Sequence, residues 1–480
     1  MTGHDPNGHG TLRRVPTGVP GLDTVIGGGL LEAGVYILQG SPGAGKTILA
    51  NQICYHHIAA GGRVVYLTLL AESHARMLQH LRTLSYFDER AVPDAIYYAS
   101  AFDALRTDGL PGVVALLRNE MRNQKAGIVV LDGLVMAANA AGSDEALKLF
   151  ISEVQAHSAL TGCTTLLLAS HEPDRPVTPE QTMVDGIVLL RESARGPRRE
   201  RNLEVVKFRG GATLRGTHAF RIGADGIRVF PRVESALQAS PGRAVGRRGA
   251  PSGVDGLDRM FDLGGLPDRS VVTVAGYAGS GKTTLALHFL ARATPEAPAL
   301  FFGFYESPET LVDIGRTFGL DLAALQASGA LEFAWQHYGE HILDELGYRL
   351  LDAVRRSGAK RVVVDGVGGF AATPSFADRG DAYFACLGNE LRRMGATTLL
   401  TVESGDPLGR TLAVSSSGLS ASSDGLLRLR ITEEGDAVRR DLAIIKMRNC
   451  TYDQRVRGLF LTQTGLRLDL RGPDAGPAGA

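Results

Sequence analysis

The sequence runs through one pattern twice, and that repetition constrains the fold more than any other feature. PTGVPGLD (Pro16–Asp23) returns as PSGVDGLD (Pro251–Asp258), and GSPGAGKT (Gly40–Thr47) returns as GYAGSGKT (Gly276–Thr283). Further along, GIVVLDGL is answered by RVVVDGVG, GCTTLLLAS by GATTLLTVE, VDGIVLLR by SDGLLRLR, and VVKFRG by IIKMRN. Six echoes in one order, at a spacing that stays near 235 residues, mark a tandem duplication. A chain of 480 residues is too long for one ordinary domain, so each copy is expected to fold as its own unit.

Both copies have the same coarse layout. An apolar stretch (VYILQG, VVTVAG) leads into the glycine-rich string, and a helical run follows (TILANQICYHHIAA, TTLALHFLARA). A second apolar stretch (RVVYLTLL, LFFGFY), a helical region, an aspartate-ending strand, another helix and further strands complete each unit. Alternating strands and helices predict an α/β fold, with a mostly parallel sheet covered on both faces. The expected division is a first domain over residues 11–232, a linker over 233–249, a second domain over 250–472 and a disordered tail over 473–480. The linker assignment rests on ALQASPGRAVGRRGAP, which is rich in Ala, Gly, Pro and Arg and has no apolar periodicity.

Two of the echoes match GxxxxGK[ST], each after an apolar strand and before a helix. In that context the pattern has a mechanism. Glycines let the backbone wrap so that successive N–H groups point at phosphate oxygens, and the helix N-terminus adds its positive dipole end. The first cradle comprises Gly40, Ser41, Pro42, Gly43, Ala44, Gly45, Lys46 and Thr47. The second comprises Gly276, Tyr277, Ala278, Gly279, Ser280, Gly281, Lys282 and Thr283, extended by Thr284. Lys46 and Lys282 are expected to reach the β- and γ-phosphates, and Thr47 and Thr283 to hold Mg²⁺. Asp132 and Asp365, each ending an apolar strand, are the expected carboxylates for the same ion.

Lysine usage points the same way. Only seven lysines stand against 44 arginines, and two of the seven lie in the cradles. Two more, Lys207 and Lys446, recur at matching places in VKFRG and IKMRN. Where arginine dominates, lysine is kept where a compact point charge is needed. Lys+Arg and Asp+Glu both total 51, so the chain lacks the basic excess of a typical nucleic-acid binder. The best basic string, RESARGPRRERN, reads as a hairpin loop. Four scattered cysteines have no metal-ligand spacing and read as ordinary reduced thiols. No apolar run approaches the ~18 residues of a membrane span. The polar, glycine-rich opening lacks signal-peptide character, and a cytoplasmic location is the expectation.

With these residues placed, the chain resembles the KaiC family of two-domain, RecA-like ATPases and autokinases, together with its wider group of KaiC-like proteins. The resemblance covers roughly residues 11–470. It rests on the combined P[ST]GVxGLD opening, the phosphate cradle, the strand-end aspartate and the late KxR. It implies ATP and Mg²⁺ as cofactors, two RecA-like P-loop domains, and six chains in a two-tiered homo-hexameric ring with nucleotide between neighbours. It further implies that Lys207 and Arg209, and Lys446 and Arg448, reach towards a neighbour's γ-phosphate. The family's adjacent glutamates are only half kept: Glu72 and Glu306 match the second, while Ala71 and Tyr305 replace the first. The first-copy match also needs a one-residue shift. In the second copy the family's Ser-Thr phosphoacceptor pair falls on Ser420 and Ala421, leaving Ser420 as candidate acceptor, with Ser422 or Ser423 as substitutes.

Three functions fit these features: a slowly hydrolysing, ATP-binding ring protein with serine autophosphorylation, used in signalling; a regulatory scaffold that ATP assembles without turnover; and a RecA-like DNA-handling motor. Zero net charge counts against the third.

Overall fold

The computed structural model describes residues 13–70, 74–170, 179–195, 198–237, 244–337, 339–404, 422–434 and 437–470. The chain divides into two compact units, Met1–Ala236 and Leu237–Ala480. Each is built on a nine-stranded sheet. In the first unit the strands are β1 (Val35–Gly40), β2 (Val64–Thr68), β3 (Ile96–Ser100), β4 (Ile128–Asp132), β5 (Thr164–Ser170), β6 (Gly186–Arg195), β7 (Arg198–Phe208), β8 (Thr217–Gly223) and β9 (Gly226–Phe230). In the second they are β10 (Val271–Gly276), β11 (Ala299–Gly303), β12 (Leu331–Trp335), β13 (Arg361–Asp365), β14 (Thr397–Glu403), β15 (Gly425–Glu434), β16 (Ala437–Met447), β17 (Arg457–Thr462) and β18 (Gly465–Leu468).

The spatial order is β9-β8-β7-β6-β1-β5-β4-β2-β3 in the first sheet and β18-β17-β16-β15-β10-β14-β13-β11-β12 in the second. The two orders are the same. From β6 to β3, and from β15 to β12, every pairing is parallel, and the remaining three strands of each sheet add antiparallel. Each P-loop strand therefore lies mid-sheet, and its strand-end aspartate is carried two strands away, on β4 or β13. Nucleotides bind at such C-terminal strand edges, where crossovers leave in opposite directions.

The parallel strands are continuous apolar runs because helices cover both faces. In the first unit the P-loop helix Lys46–Ala59 packs with Tyr36, Leu38, Tyr66 and Val130 on one face. Helices Phe102–Asn123 and Asp144–Thr161 close the other against Ile37, Leu67 and Leu131. In the second unit the P-loop helix Lys282–Leu290 is buried with Val272, Val274, Phe301 and Val363.

The repeated opening motif is a structural clip. Asp23 accepts from the Thr17 backbone N–H at 3.0 Å and its hydroxyl at 2.7 Å, and Asp258 accepts from the Ser252 N–H at 2.7 Å. Gly18 and Gly253 hold positive φ, and a side chain on either would strike the P-loop helix, at His56 or at the His288 carbonyl.

Two readings need correction. RESARGPRRERN is not a loop: β6 runs to Arg195 and β7 starts at Arg198, held by cross-strand charge pairs such as Arg199–Glu192. The stretch read as linker from residue 233 opens with a helical turn, Val233–Ala236, because Val233 is buried and Glu234 pairs with Arg232 at 3.0 Å. The tail over 473–480 lies outside the described residues.

Candidate functional site

The two glycine-rich loops share one conformation. φ is 79° at Gly43 and 104° at Gly45, and 77° at Gly279 and 100° at Gly281. Such left-handed values are open to glycine at no steric cost. A tight turn closes each loop, with Ala44 N–H donating to Ser41 O at 3.1 Å and Ser280 N–H to Tyr277 O at 3.2 Å. Ser41, Pro42 and Gly43 are exposed, as are Tyr277, Ala278 and Gly279, while Ala44 and Ser280 are buried beneath.

Each cradle lysine folds over its own loop. Lys46 Nζ donates to the Gly40 carbonyl at 2.8 Å and the Ser41 carbonyl at 3.1 Å; Lys282 Nζ donates to Gly276 and Tyr277, both at 2.9 Å. Burial lowers both lysine pKa values, opposed by Asp132 in the first copy and by Glu403 and Asp365 in the second.

The strand-end aspartates are held differently. Asp365 accepts from the Thr283 hydroxyl at 3.0 Å and from the Thr401 hydroxyl. Asp132 accepts from the Tyr66 hydroxyl at 2.9 Å. Where one copy has the donor the other has a hydrocarbon: Phe301 stands in place of Tyr66, and Leu168 in place of Thr401. Burial raises both carboxyls, and these hydrogen bonds pull them back. Thr47 and Asp132 face one cavity of about 370 Å³, shared with Tyr66, Thr68 and His74. Thr284 is buried, and its carbonyl accepts from His288 Nδ1 at 2.9 Å.

A hydroxyl and a carboxylate are hard oxygen donors, which suit Mg²⁺. Among the described residues no group of three His, Cys, Asp or Glu side chains could hold a metal. That fits an ion whose remaining positions belong to substrate phosphates and water. Thr47 with Asp132, and Thr283 with Asp365, are the residues that would hold it.

The late lysines and arginines sit elsewhere. Arg209 N–H donates to the Asp185 carbonyl at 2.7 Å, and Asp185 in turn accepts from Val35 N–H, the first residue of β1, at 2.9 Å. Arg448, Asp424 and Val271 repeat the arrangement, each bond at 2.8 Å. Arg209 and Arg448 thus stand level with the start of a strand whose far end carries the P-loop, about 17 Å away along the strand and two strands across. Lys207 Nζ is tied to the Gln181 and Thr182 carbonyls, and Lys446 Nζ to Ser423 O at 2.8 Å.

Sequence reading missed a shared irregularity here. The β6–β7 register skips Val206, and the β15–β16 register skips Ile445. Each extra residue immediately precedes the lysine. A β-bulge of this kind bends the strand and re-aims its side chains. The signal was in the sequence as VVK and IIK, two β-branched residues that break strict alternation.

Glu306 is half-buried where β11 leads into the helix Pro308–Thr317; burial raises its pKa, and Asp365 adds to the rise. Tyr305, in place of the family's first carboxylate, lays its ring against the backbone of Gly366 and Gly368. Glu72 and Ser420 lie outside the described residues. Ser423 does not serve as a substitute acceptor: it is buried, its hydroxyl 2.6 Å from that of Thr273.

Comparison with known proteins agrees with this geometry. A family model described as "ATPase: KaiC" matches residues 15–234 and again 250–469. A circadian clock oscillator protein KaiC of Picosynechococcus sp. is 23% identical over 95% of this chain and 89% of its own. Those of two Prochlorococcus marinus strains are each 24% identical over 95% of this chain, covering 92% and 90% of their own lengths. Among the described residues no helix is long and apolar enough to cross a membrane. Two RecA-like units with one strand order, two P-loops in one conformation and a family match across both copies establish that the chain belongs to the KaiC ATPase family.

Proposed function

We propose that the chain is an ATP-binding protein that hydrolyses ATP slowly, assembles through nucleotide into a double ring, and signals through its nucleotide or phosphorylation state. The reading is carried by one observation. Arg209 and Arg448 stand at the opposite end of the sheet from their own P-loops, tied there through Asp185 and Asp424. A cation so placed cannot serve its own nucleotide; it can complete a site on a neighbouring copy. Nucleotide held between chains then contributes binding energy to assembly, so the oligomer depends on it.

Within one site the division of labour follows from the residues. Backbone N–H groups and Lys46 or Lys282 hold the phosphates, and Thr47 with Asp132, or Thr283 with Asp365, would hold Mg²⁺, which would neutralise charge on the transferred group. Glu306 takes a proton from the attacking water, and Glu72 has the same role in the first copy. The neighbour's Lys and Arg stabilise charge developing on the γ-phosphoryl. The domain division belongs to the same proposal, with the first bound moved past the Val233–Ala236 turn: 11–236 and 250–472.

The test is molar mass measured alongside phosphate release, with and without Mg-ATP. A hexamer that forms only with nucleotide and releases phosphate slowly supports the reading; a monomer at saturating ATP overturns it. The packing of Tyr305 over Gly366 favours a second reading, an ATP-assembled scaffold, which assembly without turnover would select.

A further inference from the structure

The second copy carries a carboxylate, Glu403, at a strand end where the first copy has Ser170. Glu403 ends β14, the strand between β10 and β13, and pairs in register with Gly276, the first residue of the P-loop. The Ser404 N–H donates to the Gly276 carbonyl at 3.1 Å, which fixes the strand end against the loop. Two residues earlier on β14, Thr401 donates its hydroxyl to Asp365 and accepts from the Gly366 N–H at 2.7 Å. Side chains two apart on a strand share a face. Glu403 therefore rises from the face that carries Asp365 and Thr283, about 7 Å further towards the loop.

In the first copy the matching residue is Ser170, paired with Gly40. The copy with Glu403 is also the one in which Tyr305 fills the space over Gly366 and Gly368 at the end of the metal-site strand.

We propose that Glu403 is a proton acceptor for ATP hydrolysis in the second copy, working beside Glu306. The inference rests on the ATP-hydrolysis reading above. As the water oxygen bonds to the γ-phosphorus, the bond from that phosphorus to the β,γ-bridging oxygen breaks and its electron pair leaves with ADP. Glu306 takes the water proton and hands it to the Glu403 carboxylate, which releases it to solvent. A general base in this role supplies about 10²–10⁴-fold in rate.

The test uses the full chain carrying Lys46→Ala, so that bound nucleotide and phosphate release report the second copy, with Glu403→Gln and Glu403→Ala added to it. The expected result is a fall in turnover of about 10²-fold or more in each, with nucleotide affinity held or improved, since a negative charge beside the phosphates has gone. Added formate is expected to recover part of the Glu403→Ala loss, because a small carboxylate fits the space the side chain left. Turnover within twofold of the Lys46→Ala reference overturns the inference, as does an equal loss of binding and turnover, which marks a structural role. A reference chain that binds one nucleotide without releasing phosphate overturns it too. If that reference binds no nucleotide, the underlying ATP reading falls with it.

Discussion

The hydroxyl of Thr283 donates to Asp365 Oδ2 across 3.0 Å, tying the first turn of the P-loop helix to the C-terminal end of β13. Thr401 holds the other oxygen of the same carboxylate. A buried carboxylate that loses a donor is left with its desolvation cost uncovered, about 1–3 kcal/mol. Thr401→Leu is expected to destabilise the second unit by about that amount in urea unfolding, and Tyr66→Phe the first. Adding Phe301→Tyr to Thr401→Leu is expected to recover part of the loss, because it installs the first copy's donor. No change in midpoint for either single variant would mean that these hydroxyls do not support the aspartates.

Lys46→Ala and Lys282→Ala are each expected to remove about one bound nucleotide per chain, through a loss of roughly tenfold to hundredfold in site affinity. The single tryptophan gives a way to tell the sites apart. Trp335 Nε1 donates to the Phe304 carbonyl at 3.3 Å, directly before Tyr305 and Glu306. Nucleotide-induced change in its fluorescence is expected to vanish in Lys282→Ala and persist in Lys46→Ala. A double variant that still binds two nucleotides would refute the cradle assignment.

The parts of this architecture that were legible in the sequence are those written as local patterns. VYILQG and VVTVAG became β1 and β10 because both sides of each strand are buried, which demands an unbroken apolar run. The glycine spacing showed where left-handed backbone was needed. The support beneath Asp132 and Asp365 was not legible, because Tyr66 and Thr401 read as ordinary strand residues until strand order brings them beside an aspartate. The purpose of P[ST]GVxGLD was hidden for a similar reason: its first glycine answers to the P-loop helix and its second to a late strand or the residues after it, all distant parts of the chain. RESARGPRRERN misled because Arg and Glu suggest a solvated loop, whereas a hairpin tip that runs past the pairing of its neighbouring strands tolerates the same residues as cross-strand pairs.

Arg209→Ala and Arg448→Ala are expected to cut turnover by about 10³-fold or more while nucleotide affinity changes only a few-fold, the behaviour of a cation supplied in trans. Mixing offers a sharper check. Chains with Lys282→Ala are expected to bind second-copy nucleotide only weakly but still present Arg448; chains with Arg448→Ala are expected to bind it but present no arginine. Co-assembled, the two are expected to regain second-copy turnover that neither shows alone. Mixtures no more active than their components would place Arg448 in a role within its own chain.

Glu306 gives a signed pH dependence. Burial, and then Asp365, raise its carboxyl above the usual 4.5. A base works only when ionised, so second-copy turnover is expected to fall as pH drops through the raised value, with an acid limb above 4.5. The linkage to stability has the opposite sense: a raised carboxyl favours the fold fully below its unfolded value and loses that contribution as pH rises through its folded value. Glu306→Gln is therefore expected to lower second-copy turnover by about 10²-fold, flatten the acid limb and leave the unit slightly more stable at neutral pH. Replacing Glu72 the same way tests the first copy. An unchanged pH–rate profile in Glu306→Gln would move the proton-accepting role elsewhere.

The expected autophosphorylation separates the two copies most clearly, since the serine-rich string SSSGLSASSDG occurs only in the second, where the first has Gln181 and Thr182 at the matching pair. Ser420 is the candidate acceptor, and its neighbour Ala421 removes the second hydroxyl, so an ordered two-site cycle at this pair is excluded by composition. Ser423 is withdrawn as an alternative by its burial against Thr273 and by the Lys446 ammonium on its carbonyl. After incubation with Mg-ATP, mass spectrometry is expected to find phosphate on Ser420, absent from Lys282→Ala and from Ser420→Ala, and none on Ser423. Phosphate that persists in Lys282→Ala would come from another source than the second-copy nucleotide. A serine-rich string that stays unmodified under turnover conditions would leave hydrolysis and assembly as the output of the second copy.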